Sequence, residues 1–249
     1  MAAPLSGKVA LVTGGAKRVG AAIVRRLWNA GASVVVHHRS SRDAAKKLVA
    51  ELNEARADSA ASVRADLLDL GAAAELVKTT VERFGGLDIL VNNASTFYPT
   101  PVGEIKSIHW DDLVGTNLRA PLFLAQAAVP HLRKAHGCIV NITDIHADRP
   151  LKRYVVYSVA KAGLAGLTRS LARELGPEVR VNAVAPGPIL WPEDGSFDEV
   201  ARQRVVSHTL LKRTGEADDI ARTVYFLVAD APYITGQVIA VDGGRSVNL

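Results

Sequence analysis

Apolar residues in this chain fall into short runs separated by longer amphipathic stretches, and the alternation continues from end to end. Residues 9–12, 33–36, 61–63, 89–91, 139–142, 179–182 and 238–241 read as strands, several too continuously apolar to leave one face in water. Between them, 20–30, 44–56, 71–84, 113–131 and 155–175 carry apolar residues at helical spacing. This alternation predicts an α/β fold, a doubly wound parallel β-sheet with helices on both faces.

One change of texture interrupts the rhythm. Between 186 and 214, Pro188, Trp191, Pro192 and Gly195 break the pattern ahead of a short helix-like stretch at 197–206. An irregular excursion late in such a domain suits a cover over a ligand site, expected at about 187–214. No Pro-, Gly- or Ser-rich linker, repeat or low-complexity tract divides the chain, so residues 1–249 are expected to form a single domain.

Composition narrows the function classes. With 48% hydrophobic and 22% charged residues the chain reads as globular, not disordered. Its formal charge of +5 is spread along the sequence, whereas a nucleic-acid groove needs a concentrated basic stripe. No nucleic-acid partner is therefore expected, and the cations suit local phosphate sites. The single cysteine, Cys138, excludes an internal disulfide and, in the apolar run 138–140, is expected to be a buried thiol. Residues 1–8 lack a charged segment leading into an apolar core, and no stretch approaches the roughly 18 apolar residues of a membrane span, so no membrane contact and a cytoplasmic setting are expected.

The first strand runs into Thr13-Gly14-Gly15-Ala16-Lys17-Arg18-Val19-Gly20 and then a helix. Glycines admit a pyrophosphate close to the backbone, and a helix N-terminus offers it unpaired amides. Where an NAD-binding chain places a carboxylate at the end of the second strand, this one has His37-His38-Arg39-Ser40-Ser41. Such groups attract a 2′-phosphate, which makes NADPH the expected cofactor. After the third strand, Asp66 either accepts from an adenine amino group or caps a helix beginning near Leu70. Asn92 and Asn93 close the fourth strand at the carboxyl edge of the sheet, where open α/β sheets bind ligands.

Tyr157 and Lys161 stand four apart in an expected helix, which places the phenol beside a permanent cation. Lys161 favours the phenolate, while a carboxylate at Asp144 disfavours it and keeps the proton on Tyr157 until a substrate takes it. A structural alternative stands beside each: Tyr-x-x-x-Lys occurs in many helices, and Asp144 could cap the loop before Tyr154.

Taken in order, Thr13-Gly14 through Gly20, Asn92-Asn93-Ala94, Asn117, Tyr157 with Lys161, and Pro186-Gly187 resemble the motifs of the short-chain dehydrogenase/reductase superfamily over essentially the whole chain. That resemblance implies a Rossmann-type fold, hydride transfer and no metal. Three departures are similar to the pteridine reductases: Arg18 in place of the middle glycine, Ser95 after Asn93-Ala94, and Asp144 where a serine usually stands 13 residues before the tyrosine. By position the resemblance implies catalytic Asp144, Tyr157, Lys161 and Asn117, with Asn117 helping to hold a water near Lys161. Gly14, Lys17, Arg18, Val19, Gly20, His38, Arg39, Ser40, Asp66, Leu67, Asn93, Ala94, Lys161, Pro186 and Gly187 would hold NADPH. Arg18, Ser95, Phe97, Tyr154 and Tyr157 would line a pterin or folate site, Phe97 stacking the flat ring against the nicotinamide. His146 and Trp191 either face the substrate or are a satisfied loop histidine and a packed tryptophan. A homotetramer is expected. The rivals are a carbonyl or 3-oxoacyl thioester reductase of the same superfamily and a non-catalytic NADP(H)-sensing module.

Overall fold

The structure is a computed structural model describing residues 3–69, 71–191 and 198–248. Seven parallel strands form one sheet: β1 (Val9–Val12), β2 (Ser33–His38), β3 (Ala60–Arg64), β4 (Ile89–Asn92), β5 (Cys138–Ile142), β6 (Arg180–Pro186) and β7 (Val238–Val241), in the order β3-β2-β1-β4-β5-β6-β7. All seven expected strands are present. The order reverses direction beside β1, so the crevice above the carboxyl ends of β1 and β4 is the switch point at which such sheets bind ligands.

The strands are continuously apolar because both faces are covered. Against one face pack α1 (Arg18–Asn29), α2 (Arg42–Ala55) and α8 (Ala217–Tyr225), burying Ile23, Val24, Leu27, Leu48, Ile220 and Val224 with Val34 and Val36 of β2. Against the other lie α3 (Ala72–Phe84), α5 (Ala120–Ala135) and α6 (Val155–Leu175), where Leu76, Leu124, Leu132 and Leu175 meet Leu11, Leu90 and Ile139. The strand pleat explains the split, since alternate residues of β1 and β2 enter opposite cores.

Two helices were not foreseen. In α4 (Ser107–Val114) only Leu113 is buried, so its sequence shows no apolar stripe. In α8 and the π-helical turn that follows it, Ile220, Ala221, Val224 and Leu227 do recur at helical spacing, and that signal was present in the sequence. The expected helix over 113–131 is broken by a π-helical turn, Gly115–Arg119, before α5. The stretch expected at 197–206 forms α7 (Glu199–Ser207), with Phe197 outside the described residues. Cys138 is a buried free thiol, as expected, and burial pushes its pKa up to about 11. Among the described residues no helix is long and apolar enough to cross a membrane.

A buried polar chain ties the central strands to α6. Asn92 Nδ2 donates to Asn141 Oδ1 at 2.8 Å, Asn141 Nδ2 to Thr168 Oγ1 at 2.9 Å, and Thr168 Oγ1 to Leu164 O at 2.8 Å. Hydrogen bonds in so dry a place fix register, because a slipped strand would leave each group unpaired.

Candidate active site

The glycine-rich turn after β1 is held by side chains from three neighbouring strand ends. Thr13 Oγ1 accepts from the amides of Asn93 and Ala94 and donates to Val91 O. Asn93 Nδ2 donates to Thr13 O and Gly14 O. The Asn93 side chain, expected to hold the cofactor, thus holds the turn that faces it. Gly14 N donates to His37 Nδ1 at 3.2 Å, while His37 Nε2 lies 3.1 Å from Ala65 O, a pairing that needs the neutral Nε2–H tautomer. Burial lowers His37 to a pKa of about 4.

Two glycines make this turn. Gly14 has φ +60°, and a Cβ on Gly20 would overlap Gly14 O. Arg18 also adopts the left-handed region, at φ +53°, and begins α1 two residues earlier than the periodicity suggested. A glycine would take that conformation without strain, so the arginine occupies its place at a backbone cost of about 1–2 kcal/mol.

Below the turn lies a groove lined by Gly14, Lys17, His38, Arg39, Ser40, Asp66, Leu67, Ala94 and Ser95. His38 is 5% exposed, and its Nδ1 is buried without a partner. Its pKa is lowered by burial and then by the charges of Arg64 and Arg42. Arg39 Nη1 stands 3.9 Å from Asp112 Oδ1. Asp66 Oδ1 accepts from Leu68 N at 3.1 Å, closing a local turn; Gly71, not Asp66, precedes α3, so the capping alternative for Asp66 is replaced by a turn at the groove wall. At the other end Pro186 closes β6, and a Cβ on Gly187 would run into Asp242. Val19 lies in the first turn of α1, whose leading amides have no partner within the helix. The glycine cradle, the helix end and an unpartnered basic nitrogen fit a phosphorylated dinucleotide.

Tyr157 and Lys161 project from α6 one turn apart. Tyr157 Oη donates to Asp144 Oδ2 at 2.6 Å, and Asp144 Oδ1 accepts from His146 N at 2.8 Å. One Asp144 oxygen thus caps the 3₁₀ turn Ile145–Ala147 while the other meets the phenol. Burial first, then the Asp144 charge and hydrogen bond, raise the Tyr157 pKa well above its ordinary value; the nearby Ser95 hydroxyl opposes them. Lys161 Nζ donates to Ile142 O at 2.9 Å and sits 5.7 Å from the centroid of the Tyr157 ring. Lys161 is not a permanent cation: burial lowers its pKa to about 8, partly offset by Asp144.

Asn117, expected to help hold a water near Lys161, spends its side chain on the surrounding loop and helix. In the π-helical turn its Nδ2 donates to Leu113 O and Thr96 O, and its Oδ1 accepts from Ser95 Oγ at 2.6 Å. It fixes the loop after β4, which carries Ser95 and Phe97. Ser95 lines the groove, with its hydroxyl near the Tyr157 phenol of the neighbouring cavity. Phe97 does line that cavity, but Tyr154 stands behind it, stacked at 4.5 Å and 16°. Phe97 also meets Tyr157 edge-on at 4.8 Å and 79°.

The cavity next to Tyr157, about 460 Å³, is walled by Arg18, Phe97, Asp144, His146, Leu151 and residues 187–191. The Arg18 guanidinium donates to Leu190 O at 3.1 Å and Trp191 O at 3.0 Å, joining the phosphate turn to the irregular segment. His146 and Trp191 line the cavity, and His146 is also the satisfied loop histidine expected, its Nδ1 2.9 Å from Arg149 O. Val205 of α7 and Arg245 also line it and were missed; neither carries a local motif, since only the fold brings residues so distant in sequence to Tyr157. Of the expected cover, Pro192 and Gly195 lie outside the described residues.

Comparison with known proteins gives the family. A family profile described as enoyl-(acyl carrier protein) reductase matches residues 14–246. The chain belongs to the short-chain dehydrogenase/reductase superfamily. A ketoacyl reductase of the granaticin polyketide synthase from Streptomyces violaceoruber is 39% identical to this short-chain reductase over 95% of each chain. A 3-oxoacyl-[acyl-carrier-protein] reductase from Staphylococcus aureus is 37% identical over 95% of this chain and 97% of its own. Pteridine reductase 1 of Leishmania tarentolae is 38% identical over 96% of both. Among solved structures, a blue fluorescent protein from a metagenomic library, in complex with NADPH, superposes with a TM-score of 0.91 at 37% identity, covering 97% of this chain and 99% of its own. The short-chain reductase is thus an oxidoreductase of a superfamily that works with NAD(P)H.

Proposed function

We propose that this short-chain reductase uses NADPH to reduce a C=N bond of an oxidised or dihydro pterin, folates included. The observation that carries the reading is the 2.6 Å contact between Tyr157 Oη and Asp144 Oδ2. Reducing a C=N bond puts hydride on carbon and a proton on nitrogen. When bound, the nicotinamide supplies the hydride. Tyr157 and Asp144 hold one proton between them at the rim of the cavity and release it to the substrate nitrogen. Lys161, charged below pH 8, then stabilises the negative charge left on the pair. A serine at position 144 would only donate a hydrogen bond to a carbonyl oxygen.

Other residues support a flat, electron-poor ring. Phe97 is held upright by Tyr154 and presents an aromatic surface to the cavity. Arg18 ties the wall residues Leu190 and Trp191 in place above it. The basic residues His38 and Arg39 at the groove, with no carboxylate between 37 and 41, favour the phosphorylated cofactor.

A second reading has its own support. Two of the three relatives described above reduce 3-oxoacyl groups by name, and overall likeness leans towards carbonyl chemistry. The test sets dihydrobiopterin and dihydrofolate beside an acetoacetyl thioester, with NADPH and with NADH, in the wild type and Asp144→Ser. Pterin turnover with NADPH is expected, cut about 100-fold or more by Asp144→Ser with cofactor affinity retained. Thioester turnover without pterin turnover would hand the site to the second reading.

A further inference from the structure

Resting on the pterin reading, we infer that Arg245 recognises an anionic group at the far end of the substrate, so that the preferred substrates are pterins with a carboxylated tail. Arg245 follows Gly243 and Gly244, at φ +62° and +78°, in the turn that carries the chain from β7 back beneath α7. Its Nη1 donates to Val205 O at 2.8 Å. The nearest acid, Asp242, spends its oxygens on the amides of Gly244 and Ser246. Nε and Nη2 of Arg245 have no hydrogen-bond partner among the described residues, although the side chain is partly buried and lines the cavity that holds Tyr157 and Asp144.

The surroundings sharpen the argument. Ile145, Leu151, Pro188, Ile189 and Leu190 make most of the remaining wall apolar, and Asp144 is its only carboxylate among the described residues. One turn before Val205, Arg202 lies 5.6 Å over the Trp191 ring with its Nε buried and unpartnered. Of these two guanidinium groups, Arg245 is the one that lines the cavity. A partly dehydrated guanidinium gains most from a planar carboxylate, which it binds through two parallel hydrogen bonds. At about 460 Å³ the cavity is in the range of drug-sized ligands and has room for more than a fused bicycle.

The experiment measures kcat and KM for dihydrofolate and dihydrobiopterin with NADPH in the wild type, Arg245→Gln and Arg245→Lys, with a thermal melt of each. Wild-type kcat/KM is expected to favour dihydrofolate. Arg245→Gln is expected to raise the dihydrofolate KM about tenfold or more with kcat held, leave dihydrobiopterin within about twofold, and be partly rescued by Arg245→Lys. Equal losses on both pterins, or none on either, overturn the role of Arg245 and leave pterin chemistry standing. Turnover of neither pterin, beside turnover of an acetoacetyl thioester, overturns the pterin reading and this inference together.

Discussion

Lys161 shows how one residue sets opposing demands. Its amine is 2% exposed, and burial holds its pKa near 8, below the 10.5 of the free group. Below pH 8 the folded protein carries a buried charge that disfavours folding, and the penalty is relieved as pH rises from 8 towards 10.5. In the proposed reaction the demand runs the other way, because only the ammonium form would stabilise the charge left by proton donation. We expect kcat/KM to fall as pH rises through about 8, measured as NADPH oxidation across a pH series. Over the same window, the stability advantage of Lys161→Met over the wild type in urea unfolding should shrink by about 2–3 kcal/mol between pH 7 and pH 10. An advantage that does not change with pH would show that Lys161 is not desolvated in the folded state.

At the scale of elements, the junction between the glycine-rich turn and the segment before α7 couples the two halves of the site. Arg18 is strained at φ +53° yet reaches across to two carbonyls at 190 and 191. Arg18→Gly removes the strain and the link together. The expected result is a melting temperature equal to or a few degrees above the wild type, with the pterin KM raised about tenfold, as for loss of hydrogen bonds from a charged donor. A lower melting temperature with unchanged KM would assign Arg18 to stability alone.

For the whole molecule, the outer faces of α4, α5 and α6 leave apolar side chains in water. Trp110 is 50% exposed, Phe123 40% and Val159 48%. Exposed apolar surface of this extent suits association between copies. Sedimentation is expected to show a tetramer, and Phe123→Glu with Val159→Glu a smaller species that still binds NADPH. A wild-type monomer at micromolar concentration would exclude the assembly.

The periodicity of the chain by itself determined the seven strands, their parallel direction and five of the helices, because burial on both faces writes continuous apolar runs directly into the sequence. Helical spacing also put Lys161 one turn from Tyr157, while the resemblance to the superfamily's motifs pointed to Asp144, whose contact with the phenol the structure supplies. The sequence could not show that Asn93 and Asn117 spend their amides on backbone, that Tyr154 stands behind Phe97, or that burial makes the Lys161 charge conditional. Those depend on which neighbours surround each polar atom. The substrate cavity was decided only by tertiary structure. Arg18, Asp144, Val205 and Arg245 share no local pattern, and they meet because the crossovers of the parallel sheet return distant segments to one edge.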